Sequence, residues 1–326
     1  LLLLVNISCY YNQRHHQMIN NLFIFAVALF LVIKGATLAT KYAVSLAESY
    51  RLSKYTVGFI IIAIISILPE TFISINAAIA GIPSFGLGVL FGSNIADLTL
   101  VFTGIILLTG RGLKVESKII KNHAVFPLIL LLPLILGLNG HFSRPEGITL
   151  IIVGGVFYYL ALRDGIDSAI PVNKDRKRLH NSMGLLASMA IMLLGGHFTV
   201  TSATALAGYL GVSPILIGMF VVGLGATMPE FFFSLQSAKK RDDSLVVGDI
   251  LGTVLADATI VVGILALVNP FSFPKKIIYI TGLFMVGASF LLFRFMRSGR
   301  TLTKREAWML FTFWLTFVLV EFVANS

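Results

Sequence analysis

The sequence predicts an all-α membrane protein of ten transmembrane helices in two inverted-topology five-helix repeats. Three observations carry that prediction: the composition suits lipid, the basic residues alternate between the two sides, and the second half repeats the first at a constant offset. Of 326 residues, 57% are hydrophobic and 12% charged, and the mean hydropathy is +0.91. Soluble domains carry roughly 25% charged residues, so a soluble globular protein is excluded. Cys9 is the single cysteine, which removes a disulfide framework and a Cys-based metal cluster. The net charge of +10 does not indicate nucleic-acid binding, because excess Lys and Arg in a membrane protein gather in cytoplasmic loops.

Ten apolar segments run at about 20–48, 56–81, 84–109, 122–139, 146–162, 182–210, 213–238, 244–268, 273–294 and 304–323. Each approaches or exceeds the roughly 20 residues a bilayer span requires. The first and sixth are long enough to lie strongly tilted. With loops numbered in order, the odd loops hold 18 basic residues, among them Arg51, Arg111, Arg176, Lys240 and Arg300. The even loops hold 3, namely Arg144, Lys275 and Lys276. The bias predicts odd loops in the cytoplasm and both termini outside. Four parts follow: an N-terminal extension 1–19, a first half 20–162, a basic cytoplasmic loop 163–181 and a second half 182–326. The extension reads as lying upstream of a start near Met18. His15 and His16 there form a weak metal pair against the alternative of a disordered tail. The 163–181 loop is too short for a large regulatory Ca2+-binding domain.

Sliding the chain by 160 residues aligns the two halves. Pro69 falls on Pro229, Glu70 on Glu230, Ser74 on Ser234, Gly88 on Gly248 and Gly92 on Gly252. Ser93 falls on Thr253, Ala96 on Ala256, Asp97 on Asp257 and Thr99 on Thr259. Gly58 on Gly218, Gly35 on Gly195 and Ser53 on Ser213 extend the match. Shared apolar composition does not align Pro-Glu and Ala-Asp pairs without a gap. Five spans per half make the second copy enter from the opposite face. The turn 81–84 is uncharged and the turn 239–243 holds three basic residues, as that inversion requires. Inverted repeats with interrupted helices are typical of secondary transporters that bind substrate near the midplane.

Five acids fall inside apolar segments: Glu70, Asp97, Glu230, Asp249 and Asp257. A charge at the centre of a membrane helix costs about 2.5–3.5 kcal/mol, and no basic residue in these segments sits at comparable depth to form an internal ion pair. Glu70 and Asp97 are 27 residues apart, as are Glu230 and Asp257. Each lies roughly 20 Å along a helix from its turn, at mid-membrane depth. Ser74, Ser93, Ser234 and Thr253 share helix faces with them at i, i+4 spacing. The donors are hard oxygens, which suit Ca2+, Mg2+ or Na+ better than zinc or copper. Pro69 and Pro229 cannot donate to the carbonyls of Ile65 and Gly225, and freed carbonyls at this depth line cavities or bind cations. A plain proline kink is the structural alternative. Gly88, Gly92, Gly248 and Gly252 read first as close-packing residues. Asp249 lies about six residues from its charged turn, roughly 9 Å at helical rise. It is expected to be a cation-attracting vestibule residue, with snorkelling towards Lys239, Lys240 or Arg241 as the alternative.

Leu68–Pro69–Glu70 with Gly92–Ser93–Asn94–Ile95–Ala96–Asp97, and Met228–Pro229–Glu230 with Gly252–Thr253–Val254–Leu255–Ala256–Asp257, resemble the two alpha-repeats of the Ca2+:cation antiporter superfamily. The likeness is greatest to its prokaryotic sodium/calcium exchanger branch. The resemblance covers about residue 20 to the end and implies a ten-helix fold of two inverted halves. It implies that Glu70 and Glu230 bind Ca2+ and compete for Na+, that Asp97 and Asp257 share a middle position, and that Ser93 and Thr253 line flanking sodium sites. Ser66, Ala226 and Thr227, beside the Pro-Glu signatures, complete the candidate metal set. The family usually reads Gly-Thr-Ser-Leu-Pro-Glu, whereas Ile67 and Ala226 replace hydroxyl residues here. Asp97 stands where many sodium/calcium exchangers carry Asn, and Val89 and Asp249 stand where an Asn usually follows the repeat glycine. The Gly-Asn-x-x-Glu signature of calcium/proton exchangers is missing.

The implied function is secondary antiport of Ca2+ against Na+, by alternating access in which the first and sixth helices slide across a fixed bundle. Exchange against H+ is the alternative, since crowded carboxylates in a dry site take up either cations or protons. The chain is expected to be no enzyme, to need no cofactor or protein partner, and to sit in a prokaryotic plasma membrane. An intramembrane aspartyl protease fits poorly, because Val246–Val247–Gly248–Asp249 lacks the first glycine of Gly-x-Gly-Asp. A channel would not need two acidic hairpins in inverted halves. His197 reads as an interior histidine, Lys34 as a snorkelling residue, and Glu321 as interfacial.

Overall fold

In a computed structural model of the chain, residues 2–47, 63–115, 125–164 and 178–325 are described. Among them, helix α1 covers Leu2–Ala47, α2 Ala63–Ile79, α3 Pro83–Thr109 and α4 Phe126–Asn139. Helix α5 covers Arg144–Asp164 and α6 Arg178–Leu210. Helices α7 Pro214–Lys239, α8 Asp243–Val268 and α9 Ile277–Gly299 follow, then α10 Lys304–Asn325. Seven helices hold a stretch long and apolar enough to cross a membrane: α1, α3, α6, α7, α8, α9 and α10. Of the other three predicted segments, α2 and α4 are shorter apolar helices, with residues 56–62 and 122–124 outside the described residues, and α5 spans the third. Large apolar side chains such as Phe23, Phe30, Leu186, Leu194 and Leu319 are exposed, the surface expected of a protein solvated by lipid.

The N-terminal extension is not a separate tail. Helix α1 starts at Leu2 and runs without interruption through Met18. No proline lies between residues 2 and 47, and the polar stretch Asn12–Gln17 contains no residue that breaks a helix. Most of the basic loop 163–181, namely 165–177, lies outside the described residues, as do Ser53 and Gly58.

Two hairpins form the centre. In the first, α2 turns into α3 through Gly81 at φ +78°; in the second, α7 turns into α8 through Arg241 at φ +63°. These positions are repeat partners, as are Gly140 (φ +81°) and Arg300 (φ +55°). Two short antiparallel pairs tie outer segments together: β1 Leu113–Lys114 with β4 Thr301–Leu302, and β2 His141–Phe142 with β3 Phe271–Ser272. The same inverted symmetry relates them. Helices α3 and α8 are the innermost, 89% and 83% buried, against 33% for α1 and α6.

Close approach of α3 and α7 depends on glycine. A Cβ on Gly88 would lie 2.8 Å from the Ile215 carbonyl oxygen, and one on Gly92 2.5 Å from that of Met219. In return, a Cβ on Gly218 would lie 2.9 Å from the Phe85 oxygen. Small residues thus let the backbones touch, as membrane helices require when lipid supplies no hydrophobic drive for association. The α1–α6 pair uses repeat partners in the same way: Gly35 faces Met192 and Ser188, and Gly195 faces Val32 and Ala28.

Candidate cation site

Both Pro-Glu helices break at one position. The turns at Ile67 (φ −71°, ψ −8°) and Thr227 (φ −73°, ψ −9°) have almost identical backbones. Each precedes a new helical start with proline in its first turn, a place where a missing N–H costs nothing. Pro69 and Pro229 therefore start the inner half-helices and leave the carbonyls one turn earlier without that donor. Glu70 and Glu230 follow directly, in the first turn of each half-helix.

The second pair of acids marks a second irregularity. Asp97 opens a π-helical turn, Asp97–Val101, and Asp257 opens its partner, Asp257–Val261. A π turn displaces one residue from the regular ladder and occurs often at functional sites. The Thr99 hydroxyl donates to the Ile95 carbonyl and the Thr259 hydroxyl to the Leu255 carbonyl, so each turn is stabilised alike.

Glu70, Asp97, Glu230, Asp249 and Asp257 are all buried, none more than 2% exposed. Both hairpins bring them within electrostatic range of one another. Asp97 interacts with Glu70, Asp249 and Glu230; Asp257 interacts with Glu70 and Asp97. Ser93 in the first hairpin lies near Asp257 in the second, and Thr253 lies near Glu230 within the second. Both oxygens of Glu70, Asp97 and Asp257, and Oε1 of Glu230, have no hydrogen-bond donor. Residues 63–109, 214–238 and 243–268 contain no Lys, Arg or His. Buried carboxylates of this kind need protons or cations.

Among the described residues no three His, Cys, Asp or Glu side chains form a ready-made metal cage. A cation held among these acids therefore draws on hydroxyl and carbonyl oxygen too. The Ser93 hydroxyl donates to Leu90 O (3.0 Å) and that of Thr227 to Leu224 O (3.0 Å); both keep lone pairs free. Ser66 donates to Asp249 (3.2 Å). Ala226 packs in an apolar cluster with Val89 and Val222.

Asp249 is not at an open mouth. It is fully buried, and its two oxygens accept from Ser66 in the first half and from Ser234 in the second (2.9 Å). Lys239, Lys240 and Arg241 are exposed. Asp249 therefore does not snorkel towards that turn, because the start of α2 crosses over it. Tyr158, absent from the sequence reading, also borders the site: its hydroxyl donates to Gly252 O (2.6 Å) beside Asp257 and Glu230. Its only sequence signal was a tyrosine in an apolar helix. His197 is exposed, edge-on to Phe198, and Glu321 is buried and accepts from Thr281. Lys34 is exposed, with its ammonium over the Phe30 ring.

Two inverted hairpins that break beside buried acids define a membrane transporter rather than an enzyme. The model of the sodium/calcium exchanger protein family matches residues 20–163 and 180–323, so the chain belongs to that family and is a cation/Ca2+ antiporter. It is 26% identical over 261 residues to the inner membrane protein YrbG of Escherichia coli, covering 75% of this chain and 78% of that one. It is 23% identical over 351 residues to the sodium/calcium exchanger MaX1 of Methanosarcina acetivorans, covering 93% and 98%. A solved structure of the sodium-calcium exchanger NCX_Mj superposes with a TM-score of 0.69 at 21% identity, covering 93% of this chain and 98% of that one.

Proposed function

We propose that the chain exchanges Ca2+ for Na+ through the site formed by Glu70, Asp97, Glu230 and Asp257, with Ser93, Thr253, Ser66, Thr227 and the Ala226 backbone as further oxygen donors. One observation carries the proposal: carboxylates from both halves converge in the buried interior, with no basic side chain in residues 63–109, 214–238 or 243–268. Their charge is balanced in turn by one divalent ion or by several monovalent ones. Those two loads exclude each other, which is the requirement for antiport. MaX1 and NCX_Mj are both described as sodium/calcium exchangers, which supports Na+ as the counter-ion. Ca2+ and Na+ are substrates, and the bilayer is the other partner. The glycine contacts of Gly35 and Gly195 allow α1 and α6 to slide as a pair across the hairpins. The basic bias supports a prokaryotic plasma-membrane orientation with both termini outside and the 239–243 turn in the cytoplasm.

Proton coupling is the second reading, favoured by the number of acids. The deciding experiment is 45Ca2+ uptake into proteoliposomes under imposed Na+, K+ or H+ gradients. An outward Na+ gradient is expected to drive uptake at symmetric pH. Uptake driven by a pH gradient alone would replace Na+ with H+, and flux indifferent to every counter-cation would overturn antiport.

A further inference from the structure

The 160-residue offset that relates the two hairpins also relates two contacts between them. Ser66 corresponds to Ala226, and Asp249 to Val89. In one crossing the first pair meets as hydroxyl and carboxylate, Ser66 Oγ 3.2 Å from Asp249 Oδ1. In the other, Ala226 and Val89 pack in one apolar cluster, 2% and 0% exposed. The two contacts lie on opposite sides of the central acids. Asp249 is about six residues from the start of α8 at Asp243 and Val89 about six from the start of α3 at Pro83, each roughly 9 Å at helical rise. One approach to the centre is therefore polar and the other apolar.

The Asp249 side also shows unmet need. Its carboxylate accepts from two neutral hydroxyls, Ser66 and Ser234, which leave its charge uncompensated. Asp97 and Glu230 interact with it electrostatically. Both oxygens of Asp97 and Oε1 of Glu230 are buried without a donor. A hard cation between Asp249 and these oxygens would answer all three at once.

Building on the antiport reading, we propose that Asp249, Ser66 and Ser234 form a one-sided cation station between the central site and the 239–243 turn, with Val89 and Ala226 as its apolar counterpart on the opposite side. Ca2+ entering or leaving by the 239–243 side pauses at Asp249. Ca2+ using the other side passes an apolar constriction with no such stop.

The test is Ca2+ exchange measured separately from each face in proteoliposomes. Lys240→Cys in a Cys9→Ser background, labelled with an impermeant thiol reagent, identifies the face bearing the 239–243 turn. Asp249→Asn preserves shape and accepts the same serine hydroxyls. It is expected to raise half-saturating Ca2+ about tenfold on that face, the scale of local ion concentration by a fixed charge, and to leave the opposite face within about twofold. The paired substitution Val89→Asp with Ala226→Ser, which builds the mirror station, should lower half-saturating Ca2+ on the opposite face. Equal shifts on both faces, complete loss of exchange, or no shift in Asp249→Asn would each overturn the station. Absence of counter-cation-dependent flux in the unsubstituted protein would instead overturn the antiport reading itself.

Discussion

Asp97 and Asp257 each open a π-helical turn at repeat-equivalent positions, and each carries two carboxylate oxygens without a hydrogen-bond donor. The irregular turn is thus part of the repeat and coincides with the acid in both copies. If the pair shares the middle of the cation site, the two acids contribute alike. Asp97→Asn and Asp257→Asn are each expected to weaken Ca2+-dependent exchange roughly tenfold, since ligand charge sets Ca2+ affinity. Concentration dependence of 45Ca2+ uptake checks this. A loss confined to Asp257→Asn would show that only the second repeat binds.

Glu70 and Glu230 start the inner half-helices, next to carbonyls that proline leaves without a donor. Glutamine keeps the volume and removes the charge. Glu70→Gln and Glu230→Gln are expected to reduce Ca2+ transport to the level of empty liposomes, with an unchanged elution profile in detergent. Thermal stability without Ca2+ should rise, because each removes a buried, uncompensated acid. Near-normal flux in both would remove them from the site.

Pro229 prevents the 225 carbonyl from completing an ordinary helical bond. Pro229→Ala supplies the N–H with which the helix can close over the break at Thr227. The variant is expected to be more stable and to transport more slowly, with Pro69→Ala behaving alike. Full transport by either would mean that the freed carbonyl takes no part and the proline only kinks the helix.

The repeat, the Pro-Glu breaks and the acids were legible in the sequence because both copies keep the same polar residues in apolar surroundings. The burial of Asp249 was not legible, because it depends on Ser66 from the other half of the chain and not on distance along α8. His197 and Glu321 were exchanged for a related reason. Helices solvated by lipid are apolar on every face, so periodicity does not say which side of α6 or α10 points inward. Tyr158 could not be read at all, since its partner is a backbone carbonyl 94 residues away.

Arg111 braces the second hairpin from outside. Its guanidinium grips both oxygens of Asp243 (2.6 and 2.8 Å) and the Ala238 carbonyl, while Lys114 N–H adds a bond to Asp243 (2.9 Å). Asn269 does the same more weakly at the first hairpin, donating to the carbonyl of Ala78, the partner of Ala238 (3.0 Å). The pair is partly buried and bidentate, a geometry stronger than an exposed ion pair. Arg111→Ala is expected to cost about 1–3 kcal/mol, and Asn269→Ala about 1 kcal/mol, by thermal unfolding in detergent. A double-mutant cycle with Asp243→Asn should show coupling; additive effects would mean that Arg111 acts through packing alone.

The left-handed turn positions differ between the two sides in a way that sets a last expectation. Gly81, Gly140 and Gly211 hold them on one side, whereas Gly110, Arg241 and Arg300 hold them on the other, so among the described residues only the second side uses arginine there. A left-handed L-residue costs roughly 1–2 kcal/mol, whereas glycine gives up roughly 0.5–1 kcal/mol through its freer unfolded chain. The difference favours glycine by up to about 1.5 kcal/mol. The arginines persist against that preference, as they would if their charge fixes orientation in the membrane. Arg241→Gly and Arg300→Gly are therefore expected to unfold at higher temperature than the parent, and the double substitution to insert with mixed orientation. Gly81→Ala is the matched control. A Cβ there meets nothing within 4 Å, so its expected loss of about 1 kcal/mol reports backbone strain alone. Unchanged stability in both arginine variants would mean that their side chains already offset the strain through contacts of their own.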